Sequence, residues 1–330
     1  MIKKLINIII ALFILGFIAG GVLILWLLKS DYLKFNTNKE SEIILIEKKD
    51  NLRKISQKFE IYNVYDKPFV SFLIMKILIG GSQIHVGEYE ILKGETLFDF
   101  INKIKNKIYY YRKITFVEGE TITKYKEQIN NSFGLIGEIT EDVSEGYFMP
   151  GTYNYLYGET KNSILKRGKS DMIQFLNTEF SKVSQKENFY LKNIHEVVSL
   201  ASVVEKESGI GVERGLIAGV FFNRLKRGMK LQSDPTTIYE ITKGRYKMER
   251  PLTFNDLKME GQYNTYYIKA IPVGPIASPS KEAIIAVLNP DKTDSLFFVA
   301  SGSGGHNFSA TYEDHKENIK KYKEALNNKK

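Results

Sequence analysis

The sequence predicts an α+β protein whose N-terminus is a single transmembrane helix. Three observations lead to this fold class. An apolar run in which Asn7 is the only strongly polar side chain occupies residues 5–28. Strand–turn–helix patterns occupy residues 41–63 and 85–107, and beyond residue 113 helical segments alternate with loops rich in Gly and Pro. The chain is predicted to divide into an N-terminal anchor, a small α+β subdomain and a large mixed α+β domain, at residues 1–30, 31–110 and 111–330.

The apolar run has the length and the flanks of a membrane span. Its 24 residues, LINIIIALFILGFIAGGVLILWLL, would cross about 30 Å of hydrocarbon, and they exceed the roughly 7–15 apolar residues of a secretory signal peptide. Lys3 and Lys4 precede the run, so the positive-inside rule predicts a cytoplasmic N-terminus. Trp26 lies where an interfacial aromatic residue is expected. We therefore predict a single-pass membrane protein whose larger part lies outside the cytoplasm.

The composition excludes several classes of function. The 330 residues include no cysteine, which excludes thiol catalysis, disulfides and cysteine-ligated metals. The formal net charge of +9 comes mostly from lysines spread along the chain, and it favours an acidic partner such as an anionic lipid or an anionic polymer. Because the chain has no zinc-finger spacing, no RNP-like strand and no dense arginine patch, no nucleic-acid partner is expected.

Two similar segments form the predicted small subdomain. Each segment passes from a strand-like run through a polar turn to apolar residues at helical spacing. The two segments are SEIILIEKKDNLRKISQKFEIYN and HVGEYEILKGETLFDFINKIKNK. Thr96 and Asp99 are placed as a capping pair at the start of the second helix. Small α+β units of this kind commonly bind glycans, and a plain spacer domain is an equally weighted alternative.

The motif whose side chains could catalyse a reaction is LASVVEKESG, in which two glutamates lie close to the end of an apolar helix. Asn193 as the N-cap and Gly209 as the stop signal predict this helix. At about 100° per residue the apolar side chains form one stripe. Glu205 and Glu207 then lie on opposite edges of that stripe, so each of them could be half-buried. The helical periodicity does not choose between them.

A carboxyl group in the last turn of a helix is suited to hold a proton. It faces the negative end of the helix dipole in partly apolar surroundings, and both effects raise its pKa. A general acid that works near neutral pH needs such a place. The alternative is that both glutamates are solvated residues at a helix end, one of them paired with Lys206 or Arg214.

The motif and three further blocks resemble one known family. Four blocks follow each other in the order seen in the YceG-like family of endolytic murein transglycosylases. They are ASVVEKES, GVFFNRLKRGMKLQSDPTTIYE, YNTYYIKAIPVGPIASPS and FFVASGSGGHNFSATYEDH. The apolar run, a small LysM-like unit and the stretch EGYFMPGTY fit the same family upstream. The chain differs from the family at PVGPI and at LNP, and neither difference touches the glutamates.

The resemblance implies a chemistry and a role for one glutamate. In the family the second glutamate of the Glu-Lys-Glu run, here Glu207, is the catalytic acid and base, and Glu205 becomes a structural or supporting residue. A lytic transglycosylase cuts the bond between MurNAc and GlcNAc with the C6 hydroxyl of the substrate as its nucleophile. The product is a 1,6-anhydroMurNAc end, and no metal or organic cofactor is needed. The sequence contains no HExxH motif and no Gly-rich phosphate loop.

Other residues in the matching blocks are predicted to bind substrate or to support the site. Their amide, hydroxyl and phenol groups suit hydrogen bonds to sugars and peptides, although each could equally brace a loop. Asp234 is the leading candidate for a residue that supports Glu207. The full set is Asn223, Arg224, Gln232, Ser233, Asp234, Thr236, Tyr263, Asn264, Tyr266 and His306.

The resemblance further implies the setting in which the protein works. It predicts a bacterial plasma-membrane protein that cuts nascent glycan strands, terminates their elongation and associates with peptidoglycan synthases and the elongation or division machinery. A muramidase that adds water is one alternative, and it requires a second carboxylate, for which Asp234 or Glu145 is the candidate. A non-catalytic scaffold that binds the cell wall is another.

Overall fold

The computed structural model describes residues 2–29, 31–81, 83–184, 190–209 and 211–327, without the side chains of residues 2–5, 7 and 23–29. Helices and short strands are interspersed along the chain, which confirms the mixed α+β class. The chain forms two compact units, of which the first is Met1–Arg112 with Leu156–Gly158 and the second is Lys113–Tyr155 with Glu159–Lys330. The predicted domain boundaries stay predictions.

The first unit contains a two-stranded antiparallel sheet and several helices. Ser41 pairs with Leu92 at one end of the sheet, and Ile46 pairs with Gly87 at the other. The predicted strand–helix order of both segments is confirmed. The elements are α1 (Ile2–Lys29), β1 (Ser41–Ile46), α2 (Leu52–Ile61), α3 (Pro68–Ile79), β2 (Gly87–Leu92) and α4 (Leu97–Asn106).

Local signals account for the start of α4. Thr96 accepts a hydrogen bond from the backbone of Asp99, and the Asp99 side chain accepts one from the backbone of Thr96. This reciprocal capping box is the predicted pair, and it satisfies two backbone donors that a helix start leaves free. The core of this unit is aromatic, because Phe100 meets Phe59 edge-on with ring centroids 5.0 Å apart, and Phe35 packs on both.

The predicted membrane span lies within α1. The side chains of Leu5, Asn7 and residues 23–28 of the apolar run lie outside the described part of the structure, and these include Trp26. The side chains of Lys3 and Lys4 lie outside it too. Among the described residues, no helix has the length and apolar character needed to cross a membrane.

The second unit is mainly helical and carries the glutamate motif. Strands β3 (Arg112–Phe116) and β4 (Gly151–Tyr155) pair with each other, and β5 (Phe297–Ala300) pairs antiparallel with β6 (His306–Ser309). Its helices are α5 (Ile122–Asn130), α6 (Lys161–Val183), α7 (Ile194–Glu207), α8 (Arg214–Lys226), α9 (Asp234–Thr242), α10 (Phe254–Leu257), α11 (Lys281–Leu288) and α12 (Tyr312–Asn327).

Helix α7 lies in the middle of the core and packs against α6, α8, α9 and α11. Asn193 caps it by accepting a hydrogen bond from Glu196, as predicted, and the helix ends at Glu207. The prediction of a single apolar stripe is wrong, because every residue from 197 to 204 is buried. The buried hydroxyls of Ser199 and Ser202 donate to backbone carbonyls one turn earlier, which satisfies them inside the core.

The aromatic stretch EGYFMPGTY fills a second core cluster. Phe148 and Tyr153 are buried in it, and their ring centroids lie 5.5 Å apart. Helix α6 passes so close that a Cβ on Gly168 would lie 2.2 Å from the Phe148 ring, which is why the helix carries a glycine there. This stretch therefore serves the packing of the unit.

Candidate functional site

Glu207 lies at the end of α7, where its side chain is half-buried. The helix stops directly after it, since Ser208 has an extended backbone and donates its N–H to the carbonyl of Val204. A side chain at this place leaves the core and points to polar groups of other segments. Glu207 Oε1 accepts a hydrogen bond from Ser233 Oγ, with 2.5 Å between the two oxygens.

Ser233 is held in position by a buried network of hydroxyls. Its N–H donates to Thr265 Oγ1 at 2.9 Å, and its carbonyl accepts from Thr236 Oγ1 at 2.6 Å. Thr236 Oγ1 also lies 2.8 Å from Thr265 Oγ1. Because these groups are buried and satisfied by one another, Thr236 positions Ser233.

Asn264 is a second buried brace of the same region. Its Oδ1 accepts from Thr237 Oγ1 at 2.8 Å, and its Nδ2 donates to the carbonyl of Met259 at 2.7 Å. The Asn264 side chain is fully buried and fixes the segment that carries Tyr266. Neither Asn264 nor Thr236 presents a side chain to solvent.

Asp234 and Tyr266 form the exposed edge of the site. The Tyr266 hydroxyl donates to Asp234 Oδ1 at 2.6 Å, and Asp234 is exposed while Tyr266 is half-buried. Gln232 is exposed beside them and has a left-handed backbone with φ of 51°, an uncommon conformation for a residue other than glycine. Its N–H donates to the carbonyl of Thr265 at 3.2 Å, so the segment next to Ser233 is fixed despite this conformation.

The pKa of Glu207 is raised above its ordinary value. Burial is the main cause, and the negative charge of Asp234 acts in the same direction. The hydrogen bond from Ser233 and the positive charges of His306 and Arg224 act in the opposite direction and moderate the shift. These five residues therefore form one electrostatic cluster.

Arg224 and Asn223, both in α8, hold loops around the cluster. Arg224 is buried, and it donates to the carbonyls of Leu296 at 2.6 Å and Leu231 at 2.7 Å. Asn223 Nδ2 donates to the carbonyls of Thr293 and Ser295 at 2.7 and 3.1 Å. Arg224 thus ties the residue before β5 to the residue before Gln232, while its charge acts on Glu207.

His306 is oriented by a carboxylate that the sequence reasoning missed. His306 Nδ1 lies 2.7 Å from Glu213 Oε2, and the backbone N–H of His306 donates to Glu213 Oε1 at 2.9 Å. Burial acts to raise the pKa of Glu213, but these hydrogen bonds hold it below the ordinary value. No local signal marks Glu213 in the sequence, because its partner is 93 residues away.

Glu205 has a different environment from Glu207. Its Oε1 forms an ion pair with Arg214 Nη2 at 2.9 Å, and its Oε2 accepts from the backbone N–H of Ser280 at 3.0 Å and from the Ser280 hydroxyl. Ser280 is the N-cap of α11. Glu205 therefore connects the end of α7 to α8 and α11, and both of its oxygens are engaged.

Tyr263 belongs to a separate group. Its ring packs on Tyr239, with centroids 4.9 Å apart, and its N–H donates to Glu240 Oε2 at 2.7 Å. Glu145 accepts from the Ile122 N–H at 2.9 Å and from Tyr239, and burial raises the pKa of Glu145 to about 7. None of the contacts described for this group reaches Glu207. Within the described residues, no group of three or more His, Asp or Glu side chains could hold a metal ion.

The fold and the site define an α+β protein with a candidate acid–base carboxyl group at the end of a buried helix. The chain belongs to the YceG-like family, whose sequence model matches residues 44–321.

Two relatives are named endolytic murein transglycosylase. The Bacillus subtilis (strain 168) protein is 29% identical over 323 residues, which cover 88% of this chain and 83% of the relative. The Streptococcus pneumoniae serotype 2 protein is 34% identical over 179 residues, which cover 53% of this chain and 31% of the relative. The crystal structure of a yceG-like protein from Listeria monocytogenes has a similar fold, with a TM-score of 0.52 and 23% identity over 85% of this chain and 99% of that one.

Proposed function

We propose that this protein is an endolytic lytic transglycosylase, which cleaves the MurNAc–GlcNAc bond within peptidoglycan strands. Membership of the YceG-like family and two relatives named endolytic murein transglycosylase support this function. The observation that carries the proposal is the contrast between the two glutamates of the motif. Glu205 has both oxygens engaged by structural partners, whereas Glu207 keeps a raised pKa next to exposed polar groups.

Glu207 first acts as a general acid. Its protonated carboxyl group gives a proton to the glycosidic oxygen, so that the GlcNAc side leaves with a hydroxyl group as the C1–O bond of MurNAc breaks. Burial and the charge of Asp234 keep this proton on the carboxyl group before the reaction. A carboxyl group of ordinary pKa would be almost fully ionised at neutral pH.

Glu207 then acts as a general base. The C6 hydroxyl of the same MurNAc attacks C1, and the Glu207 carboxylate takes the C6 proton. A new C1–O6 bond closes the 1,6-anhydro ring, the carboxyl group is protonated again, and no water is consumed. The Ser233 hydrogen bond and the charges of Arg224 and His306 stabilise the carboxylate between the two steps.

A hydrolytic muramidase is the second candidate. The observation in its favour is that Asp234 acts electrostatically on Glu207 and is exposed, so two carboxyl groups share the site. In that reaction Asp234 would activate a water molecule or stabilise the sugar cation, and the product would carry a reducing MurNAc end. Glu145 is the weaker partner for such a pair, because its carboxyl group is engaged by Ile122 and Tyr239.

Mass spectrometry of the products decides between these reactions. The full-length protein is incubated with uncrosslinked glycan strands, beside the variants Glu207→Gln and Glu205→Gln, which make the same chemical change two residues apart. Internal cuts with 1,6-anhydroMurNAc ends are expected, with a loss of at least about 100-fold in Glu207→Gln and retained cleavage in Glu205→Gln. Reducing ends would establish the hydrolase. Strand binding without cleavage by the wild type would establish a non-catalytic scaffold.

We also propose that residues 5–28 anchor the protein in the plasma membrane, with the remainder outside the cytoplasm. The length of the apolar run and the lysines before it support this arrangement. It would hold the site close to nascent strands, where cleavage terminates their elongation, and close to peptidoglycan synthases and the elongation or division machinery. Retention of the protein in the membrane fraction after alkaline carbonate extraction is expected, and release into the supernatant would contradict the anchor.

The first unit is proposed to bind glycan in the manner of a LysM-like subdomain. The support is its small α+β plan, in which two strands pair and each is followed by a helix. Binding of the full-length Glu207→Gln variant to intact strands, and weaker binding to short fragments, is the expected result. Equal affinity for long and short glycans would contradict it.

A further inference from the structure

A groove of about 550 Å³ lies in the second unit between the start of α5, the helix α9 and the loop after α9. Its wall is tightly built where α5 meets that loop. Thr121, the N-cap of α5, donates its hydroxyl to the carbonyl of Gly244 at 2.9 Å. Gly244 has φ of 67°, and a Cβ at this position would lie 2.8 Å from the Thr121 side chain. The loop is therefore fixed where only glycine fits.

Two chain segments that carry residues of the candidate active site also line the groove. Lys206 and Pro235 both line it. Lys206 directly precedes Glu207, and Pro235 directly follows Asp234, so the segments that carry Glu207 and Asp234 also contribute residues to the groove. Lys206 Nζ donates to the carbonyl of Gly119 at 3.1 Å, which ties the end of α7 to the loop before α5.

The groove combines an apolar floor with a cationic rim. Ile238, Tyr239, Met248 and Ile276 supply the apolar surface. Lys124, Lys206, Arg245 and Lys247 supply four positive charges, against two negative charges from Glu120 and Glu127. Lys124 is paired with Glu120 at 2.8 Å. Among the described residues, Arg245 and Lys247 form no ion pair, and Tyr246 between them is 60% exposed.

We propose that this groove binds the peptide stem of the MurNAc residue whose glycosidic bond lies at Glu207. This assignment rests on the proposed function. A peptide stem is short, carries small apolar side chains and ends in a carboxylate, so it matches both the apolar floor and the unpaired cations. The volume is within the range of roughly 300–1,000 Å³ that is typical of ligand sites. Since the stem is covalently attached to the sugar at the cleaved bond, it must leave the active site through a neighbouring surface.

Two substrates and two matched variants test the assignment. The substrates are uncrosslinked glycan strands with their stems, and the same strands after an amidase has removed the stems. The test variant is Arg245→Gln/Lys247→Gln. The control is Lys226→Gln/Arg227→Gln, which removes two exposed positive charges at the end of α8, outside the groove. All proteins are full-length.

The expected result is selective for the stem. On stem-bearing strands, the test variant should have a kcat/KM about fivefold lower than the wild type, mainly through KM, because the two exposed cations that would attract the stem carboxylate are lost. On denuded strands the test variant should have the same kcat/KM as the wild type. The control variant should have the wild-type kcat/KM on both substrates. Direct titration of the Glu207→Gln protein with a soluble MurNAc-peptide should show the same loss when Arg245→Gln/Lys247→Gln is added.

The contrary outcomes separate this inference from the proposed function. If the test variant cleaves both substrates as the wild type does, the groove does not bind the stem, although the transglycosylase assignment stands. If the kcat/KM of the test variant falls by the same factor on both substrates, the groove binds the glycan instead of the peptide. If the wild type cleaves neither substrate, the proposed function itself is overturned.

Discussion

Ser233 Oγ and Glu207 Oε1 are 2.5 Å apart, and this hydrogen bond joins the end of α7 to the start of α9. The two residues are 26 positions apart in the chain. Ser233 is itself fixed by Thr265 and Thr236, so the donor is held in place before a substrate binds. A preorganised donor of this kind stabilises the carboxylate form of the acid at no cost in reorganisation during the reaction.

Replacement of Ser233 by Ala should move the pH profile to higher pH. The Ser233 hydroxyl lowers the pKa of Glu207, so its removal raises that pKa further. The first step needs a protonated acid, and the alkaline limb of the kcat/KM profile should therefore shift upward in pH. Ser280→Ala, which removes a hydroxyl from Glu205, is the matched control and should leave the limb in place. A limb that does not move in Ser233→Ala would exclude Glu207 as the titrating group.

Replacement of Asp234 by Asn should move the same limb in the opposite direction. The negative charge of Asp234 raises the pKa of Glu207, and the neutral amide removes that effect. Tyr266→Phe breaks the Asp234–Tyr266 hydrogen bond but keeps the charge, so it separates the electrostatic role from the structural one. The product ends of Asp234→Asn should be analysed as well. Anhydro ends that persist with kcat within about tenfold of the wild type would argue against Asp234 as the second carboxylate of a hydrolase.

Replacement of Glu205 by Gln should reduce stability rather than change the chemistry. The ion pair with Arg214 is largely buried, with side chains 7% and 19% exposed. Loss of the charge leaves Arg214 without its counterion, and we expect a cost of roughly 2 kcal/mol in the free energy of unfolding, measured by denaturant titration. Glu179→Gln disrupts the more exposed pair with Lys182 and should cost less than about 1 kcal/mol. Equal costs in the two variants would contradict the structural role of Glu205.

Replacement of Glu145 by Gln should increase stability in a pH-dependent way. Burial raises the pKa of Glu145 from 4.5 to about 7 in the folded protein. The folded state therefore keeps a proton that the unfolded state loses, and wild-type stability falls as the pH rises through this window. The Gln variant lacks this loss. The difference in the free energy of unfolding between Glu145→Gln and the wild type should therefore be absent below pH 4.5. It should grow to roughly 3 kcal/mol in favour of the variant above pH 7, as measured by denaturant titration at several pH values.

A second variant tests the cause of the Glu145 effect. The Tyr239 hydrogen bond lowers the pKa of Glu145, so Tyr239→Phe should move the upper end of the window to higher pH. A stability difference between wild type and Glu145→Gln that does not vary between pH 4.5 and pH 7 would show that the carboxyl group does not titrate there.

Several features of the fold could be predicted from the sequence because their causes are local. Asn193 and Thr96 cap helices through contacts with residues three positions ahead. The end of α7 near Glu207 follows from the glycines after it. Helix α3 was not predicted, because its continuous apolar sequence has no clear helical period. The complete burial of α7 was missed for a related reason, since two serines in its middle look like a polar face until their hydroxyls are seen to bond within the helix.

The sequence by itself determined the α+β class, the position of α7 and the family to which the chain belongs, since these depend on local spacing and on blocks that can be read in order. It placed Glu205 and Glu207 on the edges of one helix but could not tell their roles apart. The tertiary structure decided that question. Glu205 accepts hydrogen bonds from Ser280, which is 75 residues away. Glu207 accepts a hydrogen bond from Ser233, and the charges of Asp234, Arg224 and His306 act on it. A pKa depends on burial and on nearby charges, and both exist only after distant segments have packed together.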